Sequence, residues 1–325
     1  MQSIYVLLIF IISYIVAFFI FPTIIPRLKK IGIVGKNMNS DKQEEIPEMG
    51  GLIMAAGFSA GIIAAIALRS FFHIFPSINL TSIYAVLSTI LIVVLVGVFD
   101  DLISIKQGIK AIMPVFAAFP LMAIKEGFSI MYIPLIGIIN FGIFYPLILV
   151  PLGITGAANA VNMLAGFNGL EVGMGIIIVV SLSVIAYLMG QMTALVILMA
   201  LLGVLFATLY YNWYPAKILI GDVGTLSLGA VIAAAVIIGN FEAAGLIVFI
   251  PYVLDFVIKA INHFPSESWW GIYHKGKLYC PDSGPVGLCQ WIMKIKRGIS
   301  EKKLALVLMG VEAVFGILAI LVYVY

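Results

Sequence analysis

The sequence predicts an all-α integral membrane protein of about ten transmembrane helices, with both termini external and its candidate functional site on the cytoplasmic face. Three observations predict this. Of the 325 residues, 63% are hydrophobic and 10% charged, against roughly half and about a quarter in soluble domains, and the mean hydropathy is +1.19. Apolar runs such as 90–99 and 176–188 are continuous, which excludes a transmembrane barrel, whose strands alternate apolar and polar residues. With about ten spans and the loops sorted by parity, 16 of the 18 Lys and Arg fall on one side, leaving Arg69 and Lys125 opposite. Basic residues mark the cytoplasmic side of a membrane, so the rich side is the inner one. A net charge of +3 is too small to indicate nucleic-acid binding, and no nucleic acid is expected as a partner.

The spans follow from apolar runs of roughly 17–25 residues bounded by charge, proline or glycine. The first, 3–26, runs into Arg27, Lys29 and Lys30; it has no basic start and no small-residue cleavage site before Pro22, so a retained helix is expected and not a signal peptide. The second, 50–71, opens on Gly50 and Gly51. The third, 81–99, ends in Asp100 and Asp101; the fourth, 111–124, lies between Lys110 and Lys125; the fifth, 133–150, stops before Pro151. Runs at 172–189, 193–210, 223–239, 244–262 and 303–324 complete the set. The chain, 1–325, then reads as one multispanning domain, with cytoplasmic loops at 27–49, 100–110, 151–171, 211–222 and 263–302. Asp255 and Glu312 fall inside the ninth and tenth spans, where pairing with one another or with a hydroxyl is expected. Cys280 and Cys289 lack metal-ligand spacing and are expected as reduced thiols.

Polar residues gather in five places, all assigned to that same face. Asp100 and Asp101 are adjacent carboxylates at a bilayer boundary, which must be hydrated, paired or bound to a cation, and Lys110 can share their site if the short loop folds back. In NAVNMLAGFNGLEVG, Asn159 and Asn162 are spaced i, i+3 and face one way. Their amide oxygens suit a hard cation such as Mg²⁺ beside phosphate oxygens, though asparagines also serve as caps and turn formers. Asp222, between Gly221 and Gly224 at the mouth of a span, sits where backbone N–H groups and a helix N-terminus favour an anion; an N-cap is the plainer reading. Pro47 to Gly51 opens the second span after a charged loop in which Lys36 and Lys42 either screen phosphates or only mark topology. The last long loop holds His263, Glu267, Trp269, Trp270 and His274, its tryptophans serving either as an interfacial belt or as a stacking platform. Carboxylates, amides, lysines and glycine turns on one face are the inventory for a divalent cation and a polyphosphate. The apolar spans around them point to a membrane-borne second substrate.

The segments KNMNSDKQEEIPEMGG, GVFDDLISIKQGIK, NAVNMLAGFNGLEVG and GDVGTLSLGA, in that order, resemble those of the polyprenyl-phosphate N-acetylhexosamine-1-phosphate transferases of glycosyltransferase 4 type. Ala165 and Asn168 make the chain most similar to the archaeal and eukaryotic dolichyl-phosphate N-acetylglucosamine-phosphotransferase branch, since bacterial cell-wall members typically carry aspartates in this segment. The resemblance implies a multi-pass cell-membrane enzyme that uses Mg²⁺, or Mn²⁺, to transfer a sugar-1-phosphate. The donor would be a UDP-sugar, most directly UDP-N-acetylglucosamine, and the acceptor a polyprenyl (dolichyl) phosphate, with UMP released. Such a reaction is a first membrane step of glycan assembly such as N-glycosylation. By the same resemblance Asn162 and Asp222 are metal ligands, Asp100 with Asp101 handles the lipid phosphate, and Lys110 contacts pyrophosphate. Asn159 and Asn212 line the cleft, Gly169, Leu170 and Glu171 meet uridine, and a homodimer is the assembly common among relatives; Lys36 and His263, in the two loops that depart from the family's pattern, are further candidates for substrate contact.

A rival reading is a multispanning transporter of an anionic or nucleotide-linked solute, in which polar residues would line a path near the midplane. Here they lie at one face, and no internal repeat is evident.

Overall fold

The structure, a computed structural model, describes residues 2–39, 44–103, 105–127, 129–133, 137–265 and 270–324. Lys42, Glu267 and Trp269, singled out above, lie outside the described residues. In chain order the elements are α1 (Gln2–Lys30), β1 (Val34–Lys36), β2 (Glu45–Pro47), α2 (Gly51–Phe72), α3 (Leu80–Ile103), α4 (Gln107–Ile112), α5 (Val115–Ala123), β3 (Ile130–Ile133) and β4 (Gly137–Asn140). A π-helical turn, Tyr145–Leu149, then runs into α6 (Val150–Met163), followed by α7 (Leu170–Leu188), α8 (Met192–Asn212), α9 (Gly221–Gly239), α10 (Glu242–Val248) and α11 (Ile250–Ile261). The chain closes with β5 (Ile272–His274), β6 (Lys277–Tyr279), α12 (Leu288–Lys296) and α13 (Glu301–Val324). Among the described residues, eight helices are long and apolar enough to cross a membrane, and α10 with α11, bent by 57°, makes a ninth candidate. The molecule is an all-α integral membrane protein, and among the described residues the strands form three two-stranded antiparallel hairpins.

The expected helix at 133–150 is corrected. Residues 130–133 and 137–140 pair as an antiparallel hairpin, with Ile130 opposite Asn140, and the fourth long helix is Tyr145–Met163. The physical reason lies in the residues: an isoleucine-rich run broken by Pro134 and Gly137 fits a pleated strand as well as a helix, and hydropathy alone does not separate the two. The expected loop 151–171 accordingly shrinks to 164–169. The helix that replaces it carries its small residues against α9.

That helix, α9, is the centre of the bundle. Every residue from Val223 to Gly239 is buried. Close approach is bought by glycine, because without side chains two backbones can nearly touch. A Cβ on Gly51 of α2 would lie 2.1 Å from Gly224 N, one on Gly97 of α3 2.4 Å from Val223 Cα, and one on Gly229 of α9 2.2 Å from Ala157 O of α6. The outer faces carry the exposed apolar side chains, among them Phe19, Ile63 and Leu91, as a lipid-facing surface requires.

The intramembrane carboxylates do not pair with one another as expected. Asp255 is bound instead to Lys259, 2.7 Å away on its own helix, and both Glu312 oxygens are buried without a hydrogen-bond partner among the described residues. The i, i+4 pair engages one Asp255 oxygen within α11, and the other accepts from Leu288 N at the start of α12, so neither is left for Glu312. Cys280 and Cys289 are free thiols.

Candidate active site

Four segments meet where α9 begins. The strand-like lead-in to α9 is laced to the loop before α2: Leu219 N donates to Pro47 O at 2.8 Å, and Gly50 N and Gly51 N donate to Leu219 O and Ile220 O at 2.9 Å each. Helix α9 has no side-chain cap of its own at Ile220. The cap comes from α3, where Asp101 Oδ1 accepts from Asp222 N at 2.8 Å and Oδ2 from Val223 N at 3.4 Å. Gly221 has φ +66°, and a Cβ there would stand 2.5 Å from Asp101 Oδ2, so glycine lets the carboxylate reach the helix end. Both Asp101 oxygens are thus engaged by α9, and the residue holds Asp222 in place. Asp101→Ala is expected to cost about 1 kcal/mol, as a lost N-cap does, seen as a lowered melting temperature in detergent; an unchanged melting curve would contradict the capping role.

Asp100 faces elsewhere. It is buried, its Oδ1 accepts from Ile105 N at 2.9 Å, and its Oδ2 lies 2.5 Å from Lys110 Nζ. The same ammonium contacts Asp222 Oδ2, so the chain does fold back after α3 and one lysine bridges carboxylates from two helices. Lys110 is placed by its own helix: Asn159 Nδ2 on α6 donates to Ala111 O and to Thr155 O, both at 2.9 Å, tying α4 to α6. Asn162 lies one turn further along the same face of α6, half-buried.

Glu48 joins this group and was missed by the sequence reading. Its carboxyl is raised above the usual range, chiefly by burial and next by the Asp222 charge, with Lys110 acting in the opposite sense. An acid two residues before the glycine pair that opens a span was the available signal.

The stretch after Asn162 is clamped by side chains from five other segments. Lys259 of α11 donates to Met163 O, Glu171 of α7 accepts from Gly166 N, and Asn39, beyond β1, donates to Gly166 O at 3.1 Å. Glu301 of α13 accepts from Asn168 N at 2.7 Å and from Asn39 Nδ2 at 3.1 Å, and Asn212 of α8 accepts from Gly169 N at 3.2 Å. An irregular segment at membrane depth needs its backbone groups satisfied in this way.

These contacts place three of the residues expected to meet substrate. Leu170 is wholly buried, its side chain packed in the core. Asn212 is 1% exposed and uses its amide on Gly169 N and Ile218 O, bracing α7 against α9's lead-in. Glu171 is buried and serves the Gly166 turn. Gly169, at φ +76°, starts α7 against the Trp213 ring, 2.5 Å from where its Cβ would be. Lys36 stands exposed on β1, in register with Glu45, and His263 is exposed just past the end of α11.

Two carboxylates converging on one cationic group create the electrostatic demand that a divalent ion also meets, and the oxygens of Asp222 and the Asn162 amide are the hard donors Mg²⁺ prefers. Among the described residues no three His, Cys, Asp or Glu gather as a complete metal site.

The pattern of glycosyl transferase family 4 matches residues 83–240, the stretch from α3 to the end of α9. A protein of Saccharolobus solfataricus is 37% identical over 325 residues, 99% of this chain and 98% of its own length. The chain belongs to glycosyl transferase family 4. Among other relatives of this phosphoglycosyl transferase, one from Sulfolobus acidocaldarius is 35% identical over 97% of the chain and 95% of its own. Another, from Dictyostelium discoideum, is 26% identical over 75% of the chain and 68% of its own. All three bear the name UDP-N-acetylglucosamine--dolichyl-phosphate N-acetylglucosaminephosphotransferase, given provisionally to the two archaeal proteins. The family match covers Asp100, Asp101, Lys110, Asn159, Asn162 and Asp222, whereas Asn39, Glu48, Lys259 and Glu301 fall outside it.

Proposed function

We propose that this family 4 transferase moves N-acetylglucosamine-1-phosphate from a UDP-sugar to a dolichyl-type polyprenyl phosphate, releasing UMP, as a first membrane step of glycan assembly such as N-glycosylation. The relatives' names support the substrates, and the observation that carries the chemistry is the Lys110 bridge between Asp100 and Asp222 at the start of α9. Asp222 and Asn162 would hold Mg²⁺ or Mn²⁺. When bound, such an ion neutralises charge on the pyrophosphate oxygens and on the departing phosphate.

The chain's own groups do the rest. The reaction exchanges one phosphoanhydride for another, so its main obstacle is repulsion between two anions, which the Lys110 ammonium lowers. A phosphate monoester loses its second proton near about pH 6, so the acceptor arrives largely dianionic and Asp100 needs only to orient it. An acceptor oxygen attacks the sugar-bearing β-phosphorus in line; the new P–O bond to the lipid phosphate forms as the bond from the β-phosphorus to the bridging oxygen breaks, and UMP leaves with that oxygen. Asp101 and Asn159 position Asp222 and Lys110 respectively.

The site shares its end of the bundle with the basic close of α1, Arg27 to Lys30, which supports a cytoplasmic location in the cell membrane. Counting α10–α11 as one crossing and the shorter apolar helix 107–123 as another restores ten spans, with both termini external. The test is purified protein in detergent with a panel of UDP-sugars, dolichyl or undecaprenyl phosphate and Mg²⁺, read by UMP release and by the mass of the lipid product. A lipid pyrophosphoryl-N-acetylglucosamine is expected. Absence of UMP release without a membrane compartment would favour the transporter reading instead.

A further inference from the structure

Helix α11 buries two charges that the chemistry above does not use. Asp255 and Lys259 are 1% and 8% exposed, with Lys259 Nζ 2.7 Å from Asp255 Oδ2. Neither charge stops there. Asp255 Oδ1 accepts from Leu288 N, the first residue of α12, at 2.8 Å. Gly287 lets that approach happen: a Cβ there would be 3.0 Å from Asp255 Oδ1 and 3.3 Å from Lys259 Cε. On the other side, Lys259 donates to Met163 O, at the last residue of α6 and next to Asn162. A helix end leaves its final carbonyls without intrahelical partners and carries partial negative charge, so an ammonium placed there fixes where α6 stops.

We infer that Lys259 is a positioning residue for Asn162, and that Asp255 makes this dependent on the seating of α12, so that the segment after α11 and the ion-holding end of α6 are mechanically one unit. The inference rests on the reading of Asn162 as a metal ligand. Mere cohesion does not explain the pair, because a buried ion pair is commonly matched or bettered in stability by apolar residues of similar volume, and charge inside a span is expensive to keep. The pair differs from an ordinary helix-to-helix contact in its target. It ends on the backbone beside the ligand, the kind of outer contact whose loss weakens a metal by roughly 10- to 100-fold.

The test uses the full chain in detergent with Mn²⁺ as the probe, followed by the electron paramagnetic resonance signal of the free ion, with UDP-N-acetylglucosamine present and no lipid acceptor. The double variant Asp255→Asn/Lys259→Met leaves no orphaned charge, so its folding is expected to survive, checked by its melting curve. It should bind Mn²⁺ at least about tenfold more weakly than the parent, while Lys259→Arg, which can still reach both partners, should stay close to the parent. Parent-like Mn²⁺ affinity in the double variant would overturn the inference. Should the double variant not fold, Asp255→Asn/Lys259→Gln, which also leaves no orphaned charge and whose glutamine side chain is one atom shorter than lysine, carries the same comparison against Lys259→Arg. Asp222→Ala, run alongside, separates the two readings: retained Mn²⁺ binding there overturns the metal assignment itself, whereas loss there with retention in the double variant overturns only the role of Lys259.

Discussion

Asp222→Ala is expected to lower turnover by about 10²–10³-fold, the usual consequence of removing one preorganised group from a charge-stabilising site, with little loss of fold. The two effects separate because of how the site is wired. Lys110 keeps Asp100 at 2.5 Å when Asp222 is gone, so neither remaining charge is left alone. The Asp101 cap is to backbone N–H groups of residues 222 and 223, which an alanine still supplies. What disappears is the carboxylate itself, one of two oxygen donors assigned to the ion, together with an acidic side chain in the first turn of α9 worth about 0.3–1 kcal/mol to the helix. Initial rates of UMP release, measured beside a melting curve, decide the matter. Undiminished turnover would eliminate the metal assignment, and a collapse of the melting curve with activity would show Asp222 to be structural.

Gly97→Ala is expected to cost about 1–3 kcal/mol, the range for overpacking, and to lower activity by about 10²-fold. A single methyl has this reach because of what it meets. Its Cβ would lie 2.4 Å from Val223 Cα and 2.6 Å from Val223 N, both backbone atoms, so α3 and α9 must separate. Asp100 is one turn beyond Gly97 on α3, and Asp222 adjoins Val223, so the separation falls directly on the two carboxylates that share Lys110. A displacement of about 1 Å suffices to spoil alignment for catalysis. Gly310→Ala on α13, where a Cβ meets nothing within 4 Å, is the matched control and should leave both rate and melting temperature near the parent. Equal behaviour of the two variants would contradict the account of the α3–α9 crossing.

Much of the site was legible in the linear chain because its residues announce themselves against an apolar background. Asp100, Asp101, Lys110, Asn159, Asn162 and Asp222 stand out where charge and amide are rare, and loop parity put them on one side before any contact was known. Their division of labour was not legible. Asp100 and Asp101 are neighbours of the same type, yet one is paired with Lys110 and the other caps a helix, because successive residues on α3 point in directions about 100° apart and meet different elements. Glu171, Asn212 and Leu170 belong to or flank the same motifs, but their side chains turn inward to hold backbone or fill the core. Glu301 carried no motif signal, and Asn39 lay unmarked inside KNMNSDKQEEIPEMGG, since their partners are 133 and 127 residues away at Asn168 and Gly166.

Composition and periodicity were enough to decide that this chain lives in a bilayer, roughly where most of its helices run, and which polar groups are too costly there to be idle. Those are properties of individual segments and their transfer free energies, and they need no neighbour. The strand pairing of 130–140, the early start of the helix before Asn162, and the bridging of two acids by one lysine depend on which surfaces touch. That choice is made by the close glycine crossings on α9, and it exists only once the helices have packed.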